Sequence, residues 1–392
     1  MPNPITTAPM RHFAGWRDDP IFSQHVLTTS IAIDKEHWII LRAAADVFRT
    51  ARELFDRHNL QGDHRKAWKI FRSYIHQSHN YWDAATHARP ETAGLLYYYS
   101  FMDLVKAYLL LKGIPIGSGK KENHGLTTGK NKWTGSLANK YVFLTSVGKK
   151  NISIFSSYYA ALFSCQPPTK LCIWKLLSYA QDISYQYSSV TNRVGSNFIL
   201  KHRFAINKPT NNCWALLAVS KLAPLDKYHA IWRNFTDEFE KIGPNAAGTN
   251  DRLRNMFEFR SLDWTAFDFY QTKAGKETTI TNNQLPIESL KQKIFKAFAS
   301  HLSPIYTDNT LSGLIRLPLN ANCRFPLNEE ISIYATMFFV SELLRYHTDY
   351  LERILKHNHG WILTSFVESS PLMFLRIITS RIHQFEILLS SN

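Results

Sequence analysis

The sequence predicts a mainly α-helical chain with a mixed α/β middle, flanked by helical units at its N-terminal and C-terminal ends. Three observations lead there. Apolar residues recur at spacings of three and four between Asp34 and Gly113, and again beyond Pro326. Between Tyr141 and Leu319 that period gives way to short alternating or continuous apolar runs. The chain has 392 residues, 45% hydrophobic and 20% charged, more than one core absorbs, since single cores stop growing near roughly 250–300 residues. The expected organisation is a helical unit with a basic, glycine-rich loop at 1–135, a mixed α/β region at 136–320, and a helical region at 321–392 that packs back on the first.

The elements follow in order. Asp34 is placed to cap a helix through His37, Leu41, Ala44, Val47, Phe48 and Phe55, which residues 59–63 break. A second helix over 64–85 carries Trp68, Phe71, Ile75 and His79 at helical spacing. A third starts at Pro90, where a missing N–H is tolerated, and stops at Gly113. Its stretch 94–111 is long enough to span a bilayer. Asp103 and Lys106 interrupt it and can pair on one face, so it reads as a buried core helix. Short breaks make these three helices antiparallel neighbours.

Residues 114–135 form a glycine-rich loop. Beyond it 141–146, 197–206, 256–262 and 264–271 read as strands, with helices over 171–187 and 227–242. An amphipathic helix over 286–302 and a strand over 313–319 follow. Pro326 opens a long helical segment through Leu351, and Pro371 opens the last, to about residue 389.

The net charge of +15 favours polyanionic partners through counterion release. It is concentrated between Lys112 and Lys150, where eight lysines face the single acid Glu122, a local net of +7. Lys120, Lys121, Lys130 and Lys132 are the candidate phosphate contacts, with Trp133 beside them as a stacking surface. A solvated loop that only aids solubility is the alternative. The four cysteines, Cys165, Cys172, Cys213 and Cys323, form no CxxC pair and read as reduced thiols, so neither metal nor cofactor is expected. The first residues lack a charged region followed by an apolar run, so a cytoplasmic protein without membrane contact is expected.

Motifs for standard hydrolases, kinases and dehydrogenases are missing. Gly117-Ser-Gly-Lys120 lacks the earlier glycine and following hydroxyl of a nucleotide-hydrolase loop, although such a loop can offer N–H groups to an anion. Some metal-independent ribonucleases separate an Arg from a following His by four to six residues. Five pairs fit here, including Arg72 with His79 and Arg353 with His359, about twice the number expected by chance. Arg72 and His79 are the best candidates, because they share a helix and nearly a face. Such a pair can move a proton at a ribose hydroxyl and hold the scissile phosphate. His124, in the basic loop, either donates to a phosphate or packs the loop on the helices.

The run Leu95-Leu-Tyr-Tyr-Tyr-Ser-Phe-Met-Asp-Leu-Val-Lys-Ala-Tyr-Leu-Leu-Leu-Lys-Gly113, with Asn123-His-Gly-Leu126, resembles the YaaC-like proteins of bacteria. So do Asn328-Glu-Glu-Ile-Ser-Ile-Tyr-Ala-Thr-Met-Phe-Phe339, Leu343-Leu-Arg-Tyr346 and the closing helix. The central pattern also looks like the HEPN helical domains of toxin-antitoxin and phage-defence proteins, with Lys106, Gly113, His124 and Gly125 matching. That resemblance implies an N-terminal HEPN-like bundle that binds RNA or nucleotides, often as a homodimer. The catalytic Arg and His of active members have no clean counterpart. The function expected is that of a regulatory or phage-defence protein binding RNA or another phosphate-rich ligand. A HEPN-type ribonuclease using Arg72, His79 or His124, and a regulator that binds a protein partner, are the alternatives.

Overall fold

In the computed structural model of the chain, helix ends fall where local chemistry puts them. It describes residues 7–17, 24–28, 32–117, 119, 121–145, 151–193, 195, 197–221, 223, 229–243, 253, 255–257, 264–280, 285–298, 303–304, 314–318, 327–384 and 386–390. The helices are α1 (Ile33–Asp46), α2 (Phe48–Arg57), α3 (His64–Thr86), α4 (Pro90–Leu111), α5 (Ile154–Phe163), α6 (Ile173–Leu177), α7 (Ser184–Thr191), α8 (His229–Glu238), α9 (Ile287–Phe298), α10 (Glu329–Tyr346), α11 (Thr348–Leu355) and α12 (Asn358–His383). Asp63 caps α3 by accepting from the N–H groups of Arg65 and Lys66. Gly113, at φ +72°, ends α4. Its N–H reaches the Leu110 carbonyl, and that of Ile114 reaches Leu109, the paired bonds of a left-handed glycine cap.

The chain is mainly helical with a mixed α/β middle, and it divides into two units. Residues 25–195 and 327–392 form the helical unit; residues 1–24 and 196–326 form the other.

In the helical unit α4 is the central element, packed against α3, α10 and α12. Phe101 of α4 stacks on Phe374 of α12 at 4.1 Å, and Tyr98 meets Tyr334 and Phe338 of α10 at 5.7 and 5.4 Å. Gly94 permits the close approach of α4 and α10, since a Cβ there would lie 2.6 Å from a Val340 methyl. The first turn of α10 buries Glu329 and Glu330. Glu330 accepts from Arg381 (Nη2, 2.9 Å), Tyr158 (2.9 Å) and Asn328 (2.8 Å), so the carboxylate is fully partnered at the positive end of its helix. Small sheets border the bundle. β4 (Lys121–Asn123) pairs in parallel with β7 (Asn151–Ser153), β6 (Tyr141–Leu144) lies between β5 (Leu126–Thr127) and β8 (Lys170–Cys172), and β3 (Gln24–Thr28) pairs with β16 (Glu386–Ser390).

The second unit is built on one sheet with the order β1 (Thr7–Ala8), β11 (Phe239–Ile242), β12 (Phe267–Thr272), β10 (Asn212–Ser220), β9 (Asn197–Asn207), β15 (Leu314–Pro318), β14 (Ser303–Pro304). Off this path, β2 (Gly15–Arg17) joins β9 and β13 (Thr278–Thr279) joins β10. Both faces of β10 are buried. Cys213, Ala215, Leu217 and Val219 pack with Phe235, Leu290 and Ile294 from α8 and α9, whereas Trp214, Leu216 and Ala218 pack with Phe13, Met256 and Phe257. A strand buried on both faces is apolar throughout, so its period of two is invisible in the sequence.

Several expectations need correction. The first helix is two, because Val47 is extended (φ −114°, ψ 107°); Asp34 sits in the first turn of α1, whose cap is Ala32. Residues 255–257 are helical rather than strand, and 258–262 lie outside the described residues. The single helix expected over 171–187 is β8, α6, a 3-10 turn and α7, and that over 227–242 is α8 followed by β11. Pro371 opens nothing: it lies within α12, buried, and the helix stops at His383 before β16. Among the described residues one helix, Asn358–His383, is long and apolar enough to cross a membrane, and 72% of its apolar window is buried inside the protein. Cys165 is exposed, Cys172 half-buried and Cys213 buried, its thiol pushed up to about 11 by burial; Cys323 lies outside the described residues.

Candidate functional site

The basic loop is folded, and its acid points inward. Glu122 follows Lys121 on β4 and accepts the Gly117 N–H at 2.7 Å and the Tyr74 hydroxyl at 3.4 Å. Its other oxygen lies 3.5 Å from Lys106 Nζ, which also meets the buried Asp103 at 3.3 Å. Burial pushes the Asp103 carboxyl up to about 6 against the opposing pull of Lys106. The one acid of the segment is thereby consumed within the bundle.

The lysines point outward. Lys121, Lys130 and Lys132 are exposed, and no carboxylate among the described residues pairs with them; Lys130 Nζ lies 5.7 Å from the Phe143 ring centre. Lys120 lies outside the described residues. The chain between them is pinned at both ends. Asn131 donates to the carbonyls of Thr128 and Tyr141 and accepts the Tyr141 N–H, which fastens the loop to β6. Lys140 is buried, its ammonium donating to the Thr134 carbonyl at 2.6 Å and to that of Lys132. Trp133 stacks on His347 at 3.7 Å, so one face of its ring is covered.

The same loop borders a cleft of about 540 Å³. Gly135 and Ser136 form one wall; Tyr350 and Arg353 of α11, and His357 and His359 at the start of α12, form the other. The Tyr350 hydroxyl donates to the Gly135 carbonyl at 3.2 Å, and Arg353 donates to that of Trp133 at 2.9 Å. Burial and then the charge of His357 lower the pKa of His359, whose ring stands edge-on to Trp174 at 5.1 Å. Among the described residues no acid lines the cleft.

The three candidate catalytic residues lie apart. Arg72 and His79 both sit on α3, two turns apart, roughly 10 Å along the axis. Arg72 is drawn to Asp46 at 3.8 Å, and His79 stacks on Trp38 at 4.7 Å. Asp46 also binds His76 at 2.7 Å and lies 3.5 Å from Arg42, so this carboxylate gathers two guanidiniums and an imidazole at the surface. His124 belongs elsewhere: its Nδ1 bonds the Tyr98 hydroxyl at 2.7 Å and its ring lies 6.3 Å from Phe338, which ties the loop to α4 and α10. Burial, then Arg345 and Lys106, lower its pKa. No hydrogen bond, ion pair or ring contact among the described residues joins His124 to Arg72 or His79.

Sequence reasoning missed Asp46 and His76. Three residues separate Arg72 from His76, outside the spacing searched, and nothing local marks Asp46 as the group between α1 and α3. The cleft did leave a trace, since Arg353 and His359 are among the five spaced pairs.

A family model described as YaaC-like protein matches residues 44–382, which include the basic loop, Asp46 with Arg72 and His76, and the cleft, but not Arg42. The chain belongs to the YaaC-like protein family. No curated protein and no solved structure matches it. Among the described residues of this YaaC-like protein, no group of three or more His, Cys, Asp and Glu side chains could hold a metal ion.

Proposed function

We propose that this YaaC-like protein binds RNA or another phosphate-rich ligand through the surface that carries Lys121, Lys130 and Lys132, as a cytoplasmic regulatory or phage-defence protein whose helical unit is HEPN-like. One observation carries the reading: Glu122, the only acid of the segment, is turned inward to Lys106, Tyr74 and Gly117, so the outward lysines have no local counter-charge. Ammonium groups on a pinned chain release counterions from a phosphate backbone without first paying the entropy of ordering a loop. A second copy of the chain is the expected partner.

A second reading, a metal-independent ribonuclease, is favoured by the Asp46 cluster. A histidine held by a carboxylate beside two arginines is the arrangement of an oriented general base with a phosphate clamp. Incubating the protein with labelled RNA in EDTA across a salt series tests both. Salt-sensitive binding without cleavage supports the first. Cleavage lost in His76→Ala and Arg72→Ala supports the second, and no binding at low salt refutes both in favour of a protein partner.

A further inference from the structure

The cleft beside the basic loop is chemically distinct from the lysine surface. Its cationic group is a guanidinium rather than a flexible ammonium, and it is oriented in advance. Arg353 Nε donates to the Asp349 carbonyl at 3.3 Å and Nη2 to that of Trp133 at 2.9 Å. Both acceptors are neutral, so the fork is fixed while its charge remains whole. His357 and His359 add two imidazoles on the same wall as Arg353 and Ser136 a hydroxyl on the other, and no acid is among the described lining residues. α12 starts here, with 26 residues behind it and no side-chain cap on its first N–H groups, which adds the positive end of its dipole to the cleft. The volume, about 540 Å³, is that of a small-ligand site.

We propose that this cleft receives a terminal phosphate, the phosphomonoester at the end of an RNA strand or on a free mononucleotide, with Arg353, His357 and His359 as its recognition groups. A terminal phosphate carries more charge than an internal phosphodiester and offers three oxygens, which suits a guanidinium fork flanked by two imidazoles. The inference deepens the phosphate-ligand reading, since a strand entering by its end would continue over Lys132 and Lys130. It also stands without RNA, because a mononucleotide needs only the cleft.

The test compares two RNAs of one sequence, one 5′-phosphorylated and one 5′-hydroxyl, by fluorescence anisotropy, with AMP binding measured separately by equilibrium dialysis. The full chain is used, wild type and as Arg353→Met and His357→Gln. His357 is exposed and, among the described residues, bonds through its backbone alone, so its replacement leaves the fold intact. The expected result is a preference of about tenfold or more for the phosphorylated strand, the size of one or two charge-assisted hydrogen bonds. Arg353→Met abolishes it and His357→Gln reduces it several-fold. Replacing Lys130 and Lys132 weakens both RNAs equally. AMP binding without RNA binding would keep the cleft and discard the lysine surface. A preference for the phosphorylated end without AMP binding identifies the strand as the source. Equal affinity for the two RNAs together with no AMP binding, or a preference that survives both cleft variants, overturns the proposal.

Discussion

Replacing Lys130 and Lys132 by glutamine tests the lysine surface through a number that a structural role would not move. Each phosphate contact on a single strand contributes about 0.7 to the slope of log affinity against log salt, so removing two lowers the slope by about 1.4. Between 50 and 200 mM salt that difference amounts to roughly a sevenfold smaller loss of affinity in the variant. The loop's path depends on Asn131 and Lys140, not on these two side chains, so the double variant keeps its shape. Lys140→Gln is the contrasting control, because its buried ammonium holds the loop carbonyls and its loss lowers stability first. Anisotropy of a labelled 5′-hydroxyl RNA over five salt concentrations gives the slope directly. A double variant that binds with the wild-type slope would refute the assignment, whatever its affinity.

The remaining predictions concern the fold around the site. Arg381→Met strips the cation from Glu330, which is 1% exposed, and should cost about 2–4 kcal/mol in urea unfolding; the double variant with Glu330→Gln, which removes the stranded charge and keeps an acceptor for Tyr158 and Asn328, should recover part of it, and no recovery would count against a charge role for Arg381. Gly125→Ala forces a side chain onto a φ of +79° and drives its Cβ into the Ser153 hydroxyl, and because that hydroxyl caps α5 the variant should lose about 2–4 kcal/mol; an unchanged melting temperature would count against the turn described. The Asp103 carboxyl, at about 6 in the fold against 3.8, holds a proton that the unfolded chain has released, so its contribution is present below pH 4 and lost as pH rises through 6. Asp103→Asn lacks that dependence and should gain about 3 kcal/mol on wild type between pH 4 and 7, read from urea midpoints; parallel pH profiles would contradict the buried acid.

Helices with amphipathic periods and marked ends were legible: α3, bounded by Asp63, and α4, from Pro90 to Gly113, fall within a residue or two of their expected limits. What failed shares one cause. Long-range packing sets Val47 extended, carries α12 through Pro371 and makes β10 apolar on both faces, and none of these leaves a local signal. For the site, composition revealed the lysines but not the fate of Glu122, which depends on Lys106 and Tyr74 from two other helices. The cleft is built from residues more than 200 positions apart, Ser136 and Arg353 among them, and only their assembly reveals it.

The order of synthesis has a consequence for the helical unit. α4 is complete at Leu111, yet its partners α10 and α12 begin only at Glu329 and Asn358, more than 200 residues later. At translation rates of about 5–20 residues per second the apolar faces of α4 wait on the order of 10–40 s for their cover. A nascent chain stalled anywhere in that interval leaves Phe101 without Phe374 and Tyr98 without Tyr334 and Phe338, a standing invitation to chaperones and proteases. Only a ribosome that reads through to the last helices releases a protein with a closed bundle and, in the same stroke, a completed cleft.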